Sequence, residues 1–537
     1  MRYFHSALLC WLSLSLTVGK HGGVATEVAI CSDIGVDTLK AGGNAADAII
    51  SSALCVGTIA AYHSGLGGGG FMLVRFPSDK GEKGHSYEMV LPAAGNETMY
   101  VTNSTTPETL STIGGLAVGV PGEMRGWEML HKRHGKLPWK RLFEPAIKVA
   151  REGFNITVDL AQALTSLNQS FIIANPLWAE VYAPNGTVLQ EGEIAYRKRY
   201  ADTLELISIH GADSFYTGRI AANIVKAASA SGGIITTHDL ANYSAIVREP
   251  VNITYRNQRI FSTVAPSSGA VVLSALKIFE GYQGNYSDSD PMVNVTTHRL
   301  IEATQFAYGQ RTQYGDPAFT SNVTALQQYY LEPSVASEVR SKISDNTTYP
   351  VPYYDPQNYS ILLDHGTSHM AVIDESGMAV SLTTTVNLYW GSQVMTADGI
   401  ILSSPGQVNS FGFPASPINF ISPGKRPQSS IASSIAENLV TGEVTIATGS
   451  AGGSRIITAT LQELHHYIDQ GLTPEEYDAL GLPGFPNSTV SYLAGLGYNI
   501  TYEDLTGSTS HLVARASNGT ITAASDPRKA AGRGAAY

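Results

Sequence analysis

Hydrophobic and polar positions change period several times along the chain. Val24 to Ala29 alternates weakly, as a strand does, and Ser32 to Lys40 has helical spacing that stops at Gly42-Gly43. Asn44 can take up a free N–H at a helix start, so it caps the next helix. That helix runs to about Ala60 in small and apolar residues with few charges, which predicts burial. The run Gly65-Leu66-Gly67-Gly68-Gly69-Gly70 feeds an apolar strand from Phe71 to Phe76. No helix and no Gly-Lys-Ser/Thr follows, which excludes a phosphate loop; the glycines suit close backbone packing or positive φ. From roughly Gly122 to Val335 the pattern is mainly helical, as at Trp127, Leu130 and His131 or His298, Glu302 and Phe306. Asp345 to Asp364 loses periodicity and predicts an exposed, mobile loop. Two strand-like runs follow, His369 to Asp374 and Met378 to Thr385, joined by Glu375-Ser376-Gly377 as a hairpin turn. A loop that ends abruptly at a strand edge, beside Thr367, is a place suited to chain cleavage.

The N-terminus adds a compartment. Met1 and Arg2 precede an apolar run, Ala7 to Val18, that breaks at Gly19-Lys20. It has the length of a signal-peptide core and falls short of the roughly 20 residues that span a bilayer. A buried N-terminal helix or strand is the alternative. Asn-x-Ser/Thr sequons recur at Asn96, Asn103, Asn155, Asn168, Asn185, Asn242, Asn252, Asn285, Asn294, Asn322, Asn346, Asn358, Asn487, Asn499 and Asn518. So many predict a glycoprotein of the secretory pathway, either secreted or held in a vacuolar lumen. Cys10 falls in the leader, leaving Cys31 and Cys55. In an oxidising compartment they pair as a disulfide, or else they are two buried thiols; they lack the clustered spacing of a zinc site. At 43% hydrophobic and 15% charged residues, the 537-residue chain has ample core for one large layered unit or two to three domains. A net charge of −11 argues against nucleic acid or an anionic membrane as partner.

The segment Asp364-His365-Gly366-Thr367-Ser368-His369, with Thr383-Thr384-Thr385-Val386-Asn387, resembles the start of the small subunit of γ-glutamyltranspeptidases. The resemblance extends almost end to end. It includes Ala41-Gly42-Gly43-Asn44-Ala45-Ala46-Asp47-Ala48, His63-Ser64-Gly65-Leu66-Gly67-Gly68-Gly69 and Val120-Pro121-Gly122-Glu123. It continues through Pro423-Gly424-Lys425-Arg426-Pro427-Gln428-Ser429-Ser430 and Gly452-Gly453-Ser454-Arg455-Ile456-Ile457-Thr458 to Ala523-Ala524-Ser525-Asp526-Pro527-Arg528. It implies an α+β fold, the four-layer α-β-β-α sandwich of N-terminal nucleophile hydrolases. After the leader, taken as 1–20, it also implies a large subunit over 21–366 and a small subunit over 367–537, associated after self-cleavage. A disulfide between Cys31 and Cys55 is implied too, and no metal or organic cofactor.

The implied chemistry follows from the residue types. A Thr hydroxyl is a weak nucleophile that needs a nearby base. Attack of Thr367 on the Gly366 carbonyl, an N-to-O acyl shift and hydrolysis would split the chain. The freed α-amine, with a reference pKa of about 7.7–8.0, would then serve as general base. The resemblance gives Thr385 the task of orienting the hydroxyl, and Gly452 and Gly453 that of offering N–H groups to the oxyanion. Asn387, Ser429 and Ser430 fall to the substrate, a small amide or peptide whose acyl group passes to water or an amine. His369 shares a strand face with Thr367 and reads as structural rather than as the base.

Two departures from the family pattern bear on the acyl donor. The family usually has an Arg-Glu pair before Ala-Pro, the Arg holding the glutamyl α-carboxylate; in Tyr87-Glu88-Met89-Val90-Leu91-Pro92 it is Glu88 that stands there. An anion repels that carboxylate, and the alternative cations Arg75, Lys80 and Lys83 all precede it. Gly399-Ile400-Ile401-Leu402 then runs into Ser403-Ser404-Pro405-Gly406 where the family has an acidic segment for the donor's amino group, and no Asp or Glu occurs from Gly399 to Ala436. Three functions therefore stay open: γ-glutamyl hydrolysis or transfer from glutathione or its conjugates, acyl transfer from a non-glutamyl amide in specialised metabolism, and non-catalytic binding.

Overall fold

The computed structural model describes residues 17–77, 85–88, 107–166, 169–284, 292–357, 359, 366–404, 416–472, 486–501 and 507–537. Two seven-stranded antiparallel sheets face each other. The first orders β16 (Arg533–Ala536), β2 (Gly22–Thr26), β10 (Thr367–Asp374), β11 (Ala379–Thr385), β3 (Gly69–Arg75), β4 (His85–Glu88) and β7 (Ile246–Arg248). The second orders β1 (Thr17–Gly19), β15 (Ile521–Ser525), β14 (Thr509–Arg515), β13 (Val444–Ala451), β12 (Ser434–Asn438), β9 (Gln258–Ser262) and β8 (Val251–Tyr255). A two-stranded ribbon, β5 (Phe154–Asn155) and β6 (Ile194–Ala195), stands apart.

Each sheet carries helices on its outer face, which makes the predicted four layers. Every residue of β10 is buried, so its alternating side chains enter two different cores. Met370 and Val372 pack with α1 (Ala29–Lys40) and α2 (Ala45–Ile59). Ala371 and Ile373 meet Ala25, Leu73, Ala447 and Val513 between the sheets. A third core lies between the second sheet and the helices Gly269–Phe279, Val293–Arg311 and Ile456–Ile468.

Local sequence explains the first elements. Asn44 caps α2 as expected: its Oδ1 accepts from the Asp47 N–H, and the Asp47 carboxylate accepts from the Asn44 N–H, both at 3.1 Å. All fifteen residues of α2 are buried, in keeping with its few charges. The glycine run lies against β11. A Cβ on Gly68 would stand 2.4 Å from the Thr385 carbonyl oxygen, and one on Gly70 2.1 Å from that of Thr383.

Three expectations need correction or placement. The middle of the chain is not only helical, since Ile246 to Ser262 supplies β7, β8 and β9 to both sheets. Their short alternating runs are flanked by longer helical ones that dominate the pattern. Within the segment read as an exposed loop, Val351–Tyr354 is a short helix, and Tyr354 and Asp355 are buried. The Tyr354 hydroxyl meets both oxygens of the buried Glu302 carboxylate at 2.8 Å; the low apolar content hid a polar anchor. Thr17–Gly19, assigned above to the leader, pair with Ile521–Ala523.

Of the sequon asparagines, Asn155, Asn185, Asn242, Asn252, Asn322, Asn346, Asn487, Asn499 and Asn518 are exposed. Asn294 is half-buried and its Oδ1 accepts from the Thr489 hydroxyl at 2.7 Å. Asn96, Asn103, Asn168, Asn285 and Asn358 lie outside the described residues, as do the leader's residues 1–16. Among the described residues, no helix is long and apolar enough to cross a membrane.

Cys31 on α1 and Cys55 on α2 are fully buried and joined as a disulfide, Cα atoms 5.4 Å apart. Closing a loop of this length restricts the unfolded chain by about 3 kcal/mol. Cys55→Ser is expected to lower unfolding stability by about that amount in denaturant titration, and unchanged stability would show that the bridge does not form in solution.

Candidate active site

Thr367 opens β10 at the point where it pairs with the last residue of β11, and the register sets Thr367 opposite Thr385. The two hydroxyl oxygens are 3.1 Å apart. Thr385 donates its one proton to the Gly366 carbonyl at 2.6 Å. It must then accept from Thr367, and it also accepts the Asn387 N–H at 2.7 Å. The Thr367 proton is thereby turned toward Thr385, which leaves the oxygen's lone pairs out of that bond. That peptide carbonyl is polarised by the same hydroxyl.

Backbone conformation holds this group. Gly366 has φ +124°, and a Cβ there would stand 2.5 Å from the Leu388 carbonyl carbon, so only glycine fits without strain. Asn387 also has positive φ, 76°, and turns the chain back under the site. Ser403 and Ser404 follow it: the Ser403 hydroxyl and the Ser404 N–H both donate to the Val386 carbonyl, at 3.1 and 3.2 Å. The Val386 N–H donates to the carbonyl of His63 at 3.1 Å, and the His63 ring meets Glu27 at 2.8 Å. Burial pushes the Glu27 carboxyl up, but His63 and Lys529 outweigh it and hold it at about 2.

Gly452 and Gly453, at φ 120° and 62°, end β13 and open the turn into helix Ile456–Ile468. The Ser381 hydroxyl reaches the Thr448 carbonyl at 2.8 Å, while Gly449 lies against the His369 ring. β13 thus advances toward the Thr367 end of β10, and the two glycines lie at that end of the sandwich. His369 itself is buried between the sheets, bonded to the Thr383 hydroxyl at 2.8 Å. Its ring stacks parallel to His511, centroids 6.4 Å apart. Burial, then the neighbouring His511, holds His369 well below the usual imidazole range.

Ser429 and Ser430 lie on the segment entering β12, and one residue was missed beside them. Arg311, at the end of helix Val293–Arg311 and 6% exposed, donates from Nη2 to the Ser430 hydroxyl at 3.0 Å and from Nε to Ser268 at 2.9 Å. Ser268 in turn donates to the Ser429 carbonyl at 2.6 Å. The Ser429 hydroxyl accepts the Ile431 N–H at 3.2 Å. Both serine oxygens therefore accept from N–H donors, which leaves each hydroxyl proton able to serve an anion. In the sequence Arg311 looks like any cation at a helix C-terminus; only its burial sets it apart. The backbone of Glu88 lies opposite Phe71, which lies opposite Thr383, one step along the sheet from the Thr367–Thr385 row on the same face. Its side chain lies outside the described residues. Among the described residues, no group of three His, Cys, Asp or Glu is placed to hold a metal ion.

Two facing sheets between helix layers, with a threonine at the head of a central strand, define the N-terminal nucleophile hydrolase class of fold. Residues 31–536 match the family model described as Gamma-glutamyltranspeptidase, and the chain belongs to that family. It is 43% identical to the "Glutathione hydrolase proenzyme" of Arthroderma benhamiae, over 95% of this chain and 92% of that protein. It is 36% identical to the "Glutathione hydrolase" of Aspergillus flavus, over 94% and 88%. The crystal structure of cephalosporin acylase from Bacillus halodurans superposes with a TM-score of 0.83 at 25% identity, covering 100% of this chain and 99% of that one.

Buried groups make the fold acid-sensitive. Burial pulls His511 down to about 4, against an ordinary value of 6.5. The unfolded chain then binds a proton below about 6.5 that the folded one refuses until about 4, so stability falls as pH drops through this window. Glu27, depressed to about 2, adds a further loss as pH falls from the ordinary carboxylate range toward 2. The melting temperature is expected to decline from pH 6.5 to 4, and His511→Gln to flatten that slope by an amount on the order of 3 kcal/mol across the window. An identical slope in the variant would remove His511 as the cause.

Proposed function

We propose that this protein is an autoprocessing threonine hydrolase that cleaves or transfers γ-glutamyl groups of glutathione or its conjugates. The carrying observation is the relay from the Thr367 hydroxyl through Thr385 to the Gly366 carbonyl. In the precursor, Thr367 Oγ attacks the Gly366 carbonyl carbon and its proton moves toward Thr385. The C–N bond breaks as the Thr367 nitrogen takes a proton, leaving an ester on Oγ. Water hydrolyses that ester, releasing Gly366 as a carboxylate and returning the Thr367 hydroxyl beside its newly freed amine. In the mature enzyme the amine accepts the hydroxyl proton while Oγ attacks the γ-amide. The oxyanion is received by the N–H groups at Gly452 and Gly453, each such donor being worth about 3 kcal/mol of barrier. The leaving amine departs with the proton, and water or an amine takes the acyl group. The two subunits stay together because strands on either side of the cleavage point pair: β10 with β2 and β11 with β3. The leader and the sequons support a secretory-pathway location.

Ser429 and Ser430 offer their free protons to the donor's carboxylate, and Arg311 behind them supplies the positive charge missing at Glu88. A second reading keeps the chemistry and changes the donor. The absence of any acid from Gly399 to Ala436 removes the family's counter-charge for a donor amino group and favours an acyl group without one.

Three measurements test this reading. On denaturing gels of deglycosylated protein, the wild type should give two chains and Thr367→Ala one; a single wild-type chain sinks the processing step. Processed enzyme should turn over γ-glutamyl p-nitroanilide faster than the glutaryl analogue, which lacks only the amino group; the reverse order selects the second reading. Arg311→Gln should raise KM for the anilide by about 10-fold or more with a smaller change in kcat, and Arg311→Lys should restore part of it. Equal losses in KM and kcat for both variants would mean that Arg311 serves the fold alone.

A further inference from the structure

A second cleft opens at the opposite end of the sandwich. β10 carries Thr367 at one end and the Glu375–Gly377 turn at the other, about 25 Å away for eight residues of strand. Next to that turn is a cavity of about 690 Å³ lined by Arg75, Arg133, Lys136, Arg515, Gly377 and Glu443, among others. Four of these six carry permanent positive charge and one a negative, in a chain whose net charge is −11.

The cations converge. Arg515 Nη1 lies 3.1 Å, and Arg75 Nη1 3.4 Å, from the point where a Cβ on Gly377 would stand. Arg75 is buried at 7% exposure, donates to the Gly377 carbonyl at 2.8 Å and meets Glu437 at 3.5 Å. Glu437 is already shared with Arg259 at 3.7 Å. Among the described residues, neither Arg515 nor Lys136 has an ion-pair partner within 4.0 Å, and neither has Glu443. Two further carboxylates nearby are held by backbone N–H groups. Asp47 accepts from the N–H groups of Asn44, Lys136 and Leu137, and Asp374 from those of Ala45, Ser376 and Met378. The two guanidinium groups come close beside Gly377, and Glu437 and Glu443 are the carboxylates next to them, so the four lining cations leave net positive charge facing the cleft.

We propose that this cleft is a binding site for a phosphate-bearing small anion, held between Arg75 and Arg515 at Gly377 with Lys136 at the rim. Planar guanidinium forks match the oxygens of a phosphate two at a time, and the ammonium adds a mobile point charge. The volume exceeds that of a single phosphate and suits a diphosphate or a phosphate ester. The site joins the turn of the β10–β11 hairpin to the start of α2 and to the β12–β13 turn, so an occupant ties both sheets together at the end away from Thr367. It is independent of the chemistry proposed at Thr367.

Isothermal titration of the processed protein at constant ionic strength tests it, with pyrophosphate, orthophosphate and citrate as probes. Pyrophosphate is expected to bind with Kd below about 1 mM, more tightly than citrate. Arg515→Gln and the exposed Lys136→Gln should each weaken it by about 10-fold or more, with anilide turnover unchanged. No binding at about 10 mM, equal affinity in both variants, or citrate binding as tightly as pyrophosphate would overturn the proposal.

Discussion

The hydroxyl of Thr385 has a single proton, and the arrangement at Thr367 depends on where that proton goes. Given to the Gly366 carbonyl, it leaves the oxygen as acceptor for both the Thr367 hydroxyl and the Asn387 N–H. One atom therefore polarises the Gly366 carbonyl, aligns the Thr367 hydroxyl and pins the turn that follows. This requires Thr367 and Thr385 to be directly paired across two strands. A slip of one residue would send both side chains to the opposite face of the sheet.

The register is held from several sides. The hairpin turn fixes one end, where Asp374 accepts from the N–H groups of Ser376 and Met378. At the other end the glycine run presses its backbone onto β11, closer than any side chain allows. The inner face of β10 packs through alanine and isoleucine against the second sheet, while its outer face is locked by methionine and valine under α1 and α2. Such close packing resists displacement of either strand by even a methyl group's width. The two threonine hydroxyls are thus positioned by strands.

The proposed donor site is built differently, from residues that no single element carries. Arg311 ends a helix, Ser268 precedes another, and Ser429 and Ser430 lie on a connecting segment. Two cations stand at separate places in the fold: Arg311 behind the paired serines, and Arg515 at the remote cleft. The acidic segment absent after Leu402 leaves Ser403 and Ser404 folded directly onto Val386.

Much of the layered fold was legible in the sequence because its signals are local. Asn44 before a helix, apolar periodicity in α2, the Glu375-Ser376-Gly377 turn and the strands beside it each depend on neighbours a few residues away. The pairing of Thr367 with Thr385 follows nearly as directly, since a short turn sets the register of its own hairpin. The strands β7 to β9 and the buried Tyr354 were not legible, because long helices dominate the pattern around the former and a polar composition masks the latter. Nor was the contact between Arg311 and Ser430, 119 residues apart, or the approach of Arg75 to Arg515 from different sheets. Sequence alone determined the family, the candidate nucleophile and the elements that carry it. The tertiary structure decided which charges are buried and which hydroxyl protons stay free, because burial and hydrogen-bond direction arise only when the sheets stack.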